Sequence, residues 1–144
     1  MKQDLQENRI ESILGNPEEM DFDEARDIYY QYLKENLDLP CEVTGIEDFG
    51  WEEFYVFGLG DKKEYEHLKK DRPSYTDRYE LLNISTDLES EWIMFWDDDI
   101  AGHVKRLSDG KEFLLGLSEL KAVDKKSKQY QLLDDFSFWL VNNR

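Results

Sequence analysis

Thirty-four of the 144 residues are aspartate or glutamate, and three groups of them stand out by spacing. Glu47 and Asp48 lie just ahead of Glu52 and Glu53. Asp97, Asp98 and Asp99 form an unbroken run, and Asp134 and Asp135 are adjacent. Carboxylates held this close repel one another, and a divalent cation relieves that repulsion. Calcium suits such a set, because it takes about six to eight oxygen ligands in irregular geometry from carboxylates, carbonyls and water. These nine residues are the candidate metal ligands. The competing reading of Asp97 to Asp99 is a solvated turn that caps Ile100 and Ala101. For the acidity as a whole, the competing reading is solubility.

A helix–loop–helix calcium loop can be tested directly against the sequence. Counting from Asp97, Asp99, Gly102 and Val104 fall on matching positions, but Ala101, Lys105 and Ser108 stand where ligands belong. Ser108 occupies the twelfth position, which needs a bidentate Glu. Counting from Asp87, Trp92 replaces the required glycine. Any calcium site in this chain is therefore of another kind.

Other chemistries find less support. The only cysteine, Cys41, excludes an internal disulfide and a multi-cysteine zinc site, and its flanks read as a buried strand edge. His67 lies among lysines and His103 begins a strand, so neither belongs to a paired metal motif. Gly58-Leu59-Gly60 lacks the third glycine, the lysine and the Ser/Thr of a phosphate loop. Paired carboxylates for sugar hydrolysis carry no information in a chain with this many acids. The expectation is a binding protein and not an enzyme.

The net charge of −16 is uneven. Residues 1–60 hold 16 acids against four bases, a balance of −12, and the remainder is far closer to neutral. Such a surface repels nucleic acid and attracts cations or a basic protein. No stretch is apolar enough to span a membrane, and Met1 to Glu7 lack the apolar core of a secretion signal. The expected location is the cytosol.

The elements that must position these acids follow from periodicity. A thin stripe of Leu5, Ile10, Ile13 and Leu14 predicts an N-terminal helix, loosely held, ended by Gly15-Asn16-Pro17. Residues 22–37 predict a second helix, with Asp21 as N-cap, Glu24 closing a capping box and one apolar face from Phe22 to Leu37. Strands are expected at Cys41 to Ile46, at Trp51 to Leu59, at Tyr79 to Ile84 and at Glu91 to Trp96. The last is expected as a central strand buried on both faces. Residues 61–70 predict a short charged helix. Asp109-Gly110 predicts the turn of a hairpin from His103 to Leu117. Residues 125–142 predict a terminal helix capped by Asp124. Trp51, Trp92, Trp96 and Trp139 are expected to be largely buried.

Two blocks of the chain resemble a known family. Ile28-Tyr29-Tyr30-Gln31-Tyr32-Leu33 with Leu37-Asp38-Leu39-Pro40-Cys41 forms the first. The second runs from Phe113-Leu114-Leu115-Gly116-Leu117-Ser118-Glu119-Leu120 through Asp124 to Leu133-Asp134-Asp135-Phe136-Ser137-Phe138-Trp139-Leu140. Together they resemble the CcbP-type family of small bacterial calcium-binding proteins. Gly116 stands where that family has proline, and Gly60 to Asp77 looks like an insertion. The resemblance implies a compact, barrel-like sheet flanked by helices, and calcium held by scattered acids.

The whole reading is a single α+β domain over residues 1–144, with an antiparallel, barrel-like sheet of about five strands between N-terminal and C-terminal helices. The helices of residues 22–37 and 125–142 are expected to cover one side of that sheet. The expected function is divalent-cation binding, with calcium as the ion, as a buffer or sensor. The alternative is an acidic interaction module that docks a basic partner.

Overall fold

A computed structural model describes residues 2–15 and 17–144. Met1, and Asn16 from the expected helix stop, lie outside the described residues. The helices are α1 (Lys2–Leu14), α2 (Phe22–Asn36), α3 (Glu53–Val56), α4 (Lys62–Leu68) and α5 (Lys128–Asn143). The strands are β1 (Cys41–Gly45), β2 (Arg78–Ser85), β3 (Ala101–Arg106), β4 (Glu112–Gly116) and β5 (Leu120–Ala122). They form one antiparallel sheet in the order β4-β3-β2-β1-β5. The fold is α+β, with terminal helices flanking the sheet.

The sheet stays open, in contrast to the expected barrel. The edge strands β4 and β5 do not pair, and β5 is only three residues long, too short a ladder to close a cylinder. A 3-10 turn, Leu117–Glu119, joins the two edges instead.

Asp21 caps α2 by accepting the Glu24 amide at 2.8 Å, and the buried face Ala25, Tyr29 and Leu33 follows the helical period. On β2 the inward residues are Tyr79, Leu81 and Ile84. A register shift between Leu81 and Asn83 inserts one residue, which resets the alternation so that Ile84 also faces the core. The hairpin forms where Asp109-Gly110 places it, with Gly110 at φ +78°, a left-handed conformation that glycine adopts without strain. Helix α5 packs on the 3-10 turn and β5, and α1 and α2 pack against α5. Phe22 stacks on Trp139 at 5.2 Å, and Tyr29 meets Phe136 edge-on at the same distance.

Two expected strands are absent. Trp51 to Val56 is helical, from the 3-10 turn Gly50–Glu52 into α3. Glu91 to Trp96 is a chain of turns, stitched by Ser90 Oγ donating to the Leu114 carbonyl and by Asp98 and Asp99 amides donating to Phe95. Trp139 is buried and Trp51 and Trp92 are half-buried, but Trp96 is 64% exposed. Helix α5 begins after Ser127, whose hydroxyl accepts the Tyr130 amide. Asp124 caps only the preceding turn, through Lys126.

Helix α1 is tied down by charge as well as by Ile10 and Leu14. Arg9 donates two hydrogen bonds to the buried Asp135 carboxylate, at 2.8 and 2.9 Å, and Gln6 adds a third at 2.9 Å. Arg9→Ala would leave that carboxylate under-paired. The expected loss is about 2 kcal/mol in urea unfolding, below the 3–5 kcal/mol of fully buried pairs because Arg9 is 39% exposed.

Candidate metal centre

Three chain segments meet beside the Leu117–Glu119 turn. The turn follows β4, Asp99 precedes β3, and Ile46 to Phe49 follow β1. Backbone hydrogen bonds lock them together: the Leu117 amide donates to Ile100, and the Ile46 amide donates to Glu119. From α5, the Ser137 hydroxyl donates to the Ser118 carbonyl.

Asp99 is buried at the centre of this junction. Its Oδ1 accepts the Ile100 amide at 2.7 Å and the Ser118 amide at 3.2 Å, and its Oδ2 accepts the Ser118 hydroxyl at 2.6 Å. Glu119 reaches the same place. A methyl group built on Gly116 would meet Asp99 Oδ2 at 2.5 Å and Glu119 Oε2 at 2.9 Å. Both carboxylates therefore converge over one α-carbon, and a side chain there would displace them.

Burial is the first cause that pushes both groups up, Asp99 to about 6 and Glu119 to about 7. The hydrogen bonds from Ser118 and Ile100 pull Asp99 back, while the charge of Asp98 raises it further. Glu119 is raised by Asp99 and Glu47 and lowered by the Met94 amide. No cationic group is among the neighbours that set either value. A cavity of about 100 Å³ opens beside Glu119, with Glu47, Asp48, Ser118 and Ser137 as its polar wall and Ile46, Met94, Phe95 and Val141 as its apolar wall.

Of the nine acids singled out by spacing, three come to this junction: Asp99 beside Glu119, and Glu47 and Asp48 in the cavity wall. The others go elsewhere. Asp97 is exposed, and its carbonyl accepts from Arg26. Asp98 is half-buried beside Asp99. Asp134 is exposed and accepts from Gln6, while Asp135 is the Arg9 partner. Glu53 is exposed on α3. Glu52 is fully buried and accepts four hydrogen bonds from Phe49, Tyr65, Ser74 and Tyr75, so its oxygens are already engaged by the protein. Among the described residues, no three His, Cys, Asp or Glu side chains form a ready metal cluster. Glu119 and Ser118 were not singled out by charge. The signal was the polar pair between Leu117 and Leu120, inside a segment otherwise apolar enough to be core.

The Cys41 thiol is raised to about 11, first by burial and then by Asp38, so it is protonated and a poor nucleophile near neutral pH. Among the described residues no helix is long and apolar enough to cross a membrane.

These features define a small acidic α+β protein, built on an open five-stranded antiparallel sheet between terminal helices, with paired carboxylates at the sheet's end. Solved structures share this overall fold. The chain superposes on Anabaena CcbP with a TM-score of 0.60 over 95% of this chain and 89% of that one, at 19% identity. It superposes on a calcium binding protein in its calcium-binding form with a TM-score of 0.58, over 96% and 90% of the two chains, again at 19% identity. No protein-family model and no curated protein matches the sequence. The resemblance read from the two sequence blocks thus holds at the level of the fold.

Proposed function

We propose that this protein binds a divalent cation, calcium, at the junction of Asp99, Glu119, Glu47 and Asp48, and acts as a calcium buffer. The observation that carries this reading is the convergence of Asp99 and Glu119 over Gly116, with two further acids in the adjoining cavity wall. The donor set fits a hard cation: carboxylate oxygens, the Ser118 hydroxyl nearby and backbone carbonyls from irregular turns. A bound cation supplies the positive charge that the two desolvated carboxylates lack. Asp99 is oriented by its three hydrogen bonds, and Glu119, beside the Met94 amide, lines the cavity. The frame is made of strand ends and a turn packed into the core, so loading changes local charge and leaves the fold as it is. That is the behaviour of a buffer. One structural neighbour, a calcium binding protein in its calcium-binding form, supports the choice of ion.

The test is calorimetric titration of chelator-treated protein with calcium and then magnesium. The expected result is saturable heat for calcium that Glu119→Gln abolishes. Calcium at a hundred times its dissociation constant should add about 2.7 kcal/mol to stability. An absence of saturable heat at millimolar calcium would sink the proposal.

A further inference from the structure

The wall of the cation cavity holds a sulfur atom among its acids. Met94 lies in the chain of turns that precedes β3, and it lines the cavity together with Glu119, Glu47 and Asp48. Its backbone amide sits beside the Glu119 carboxylate. Its terminal methyl reaches Gly50, where an added side-chain carbon would lie 3.4 Å from it. Gly50 is only just beyond Asp48 in the chain. The thioether therefore spans the gap between Glu119 and the segment that carries the other acids of the cavity wall.

Among the described residues, Met94 is also the sulfur most open to a small oxidant. It is 45% exposed, whereas Met20 is half-buried and packs against the core. Cys41 is half-buried, and burial first of all raises its thiol to about 11, so the reactive thiolate is scarce near neutral pH. Hydrogen peroxide oxidises a thioether by transferring one oxygen atom to it. The O–O bond breaks, the sulfur gives an electron pair to the new S–O bond, and the peroxide leaves as water. The product is methionine sulfoxide, which methionine sulfoxide reductases convert back.

The two states of this side chain offer a cation different things. A thioether is soft and apolar, whereas calcium takes oxygen ligands. A sulfoxide is polar and presents an oxygen acceptor. Affinity at calcium sites follows ligand charge and number, so one more oxygen beside Glu119, Glu47 and Asp48 favours the loaded state. In the empty cavity the same oxygen is the negative end of a dipole facing carboxylates, which disfavours the unloaded state. We propose that Met94 is a reversible oxidation site whose sulfoxide adds an oxygen donor to the cation cavity and tightens calcium binding there. This regulation rests on calcium binding at the same junction.

The test treats the chelated full chain with hydrogen peroxide, removes the oxidant and titrates with calcium. Peptide mass mapping should find the added oxygen on Met94 ahead of Met20. The calcium dissociation constant should fall about threefold, as one further ligand implies. Urea unfolding without calcium should show the oxidised protein less stable than the untreated one. Met94→Leu, treated in the same way, should show neither change, and it controls for the other sulfur atoms. That substitution conserves volume at a half-open position, so the fold is kept. Met94→Gln carries a side-chain oxygen at a similar reach and should tighten calcium binding with no peroxide. It decides the matter if circular dichroism shows that peroxide disturbs the fold. Equal calcium affinity before and after oxidation would overturn the proposal and leave calcium binding standing. So would a change that Met94→Leu shares, calcium-free stability that oxidation leaves untouched, or oxygen found first on Met20. No saturable heat from the untreated protein would overturn calcium binding itself, and this regulation with it.

Discussion

Near pH 8 and without calcium, Glu119→Gln should make the protein more stable, by about 2 kcal/mol, while removing its response to calcium. Glu119 is raised from 4.5 to about 7, first by burial and then by the Asp99 charge. One pKa unit corresponds to about 1.4 kcal/mol, and the partial exposure of Glu119 discounts the total. The sign follows from linkage. A carboxyl whose folded pKa lies above its unfolded value keeps its proton longer in the folded state, so stability falls as pH rises from about 4.5 through about 7 and then levels. Asp99, raised from 3.8 to about 6, adds to the same fall over a slightly lower window. Wild type and Glu119→Gln should therefore coincide near pH 5 and diverge towards pH 8 in urea unfolding. Calcium should rescue wild type most above pH 7, where both carboxylates are charged, and do little near pH 5. Equal stability of the two proteins at pH 8 would mean that Glu119 is not desolvated.

Glu52→Ala should cost about 4 kcal/mol, from the loss of one acceptor that four groups share. The Phe49 and Tyr75 amides donate to Oε1 at 3.3 and 2.8 Å, and the Tyr65 and Ser74 hydroxyls donate to Oε2 at 2.6 and 2.7 Å. The carboxylate is wholly buried, so alanine leaves these donors unmet, away from water. Glu52→Gln should cost about half as much, because its amide nitrogen must face two donors. The damage should be local first. Amides between Gly50 and Asp77 should lose hydrogen-exchange protection, while the central β2–β3 ladder keeps it. Uniform loss of protection across both regions would show that this segment does not open as a separate unit.

Much of the fold was legible in the residues. Helices α1, α2 and α4, and the body of α5, follow from apolar spacing and, for α2, from the Asp21 cap. Strand β2 and the hairpin follow from alternation and from Asp109-Gly110. Two segments misled, and for one reason. Trp51 to Leu59 and Glu91 to Trp96 are rich in aromatic and branched residues, which favour strands only where a sheet face receives them. Here the open edges of the sheet are taken by β4 and β5. The first segment turns helical around buried Glu52, and the second folds into turns over Asp99.

Composition and periodicity determined, by themselves, an acidic α+β chain with helices at both ends, because burial acts on each element separately and leaves its period in the sequence. Which carboxylates matter was decided only by tertiary structure. Asp99, Asp135 and Glu52 look alike in a list of acids, yet one lies beside Glu119 and, among the described residues, forms no ion pair, one is matched by Arg9 and one is saturated by four donors. A carboxylate's chemistry depends on the donors, charges and water that reach it, and those arrive from strands and turns far away in the chain.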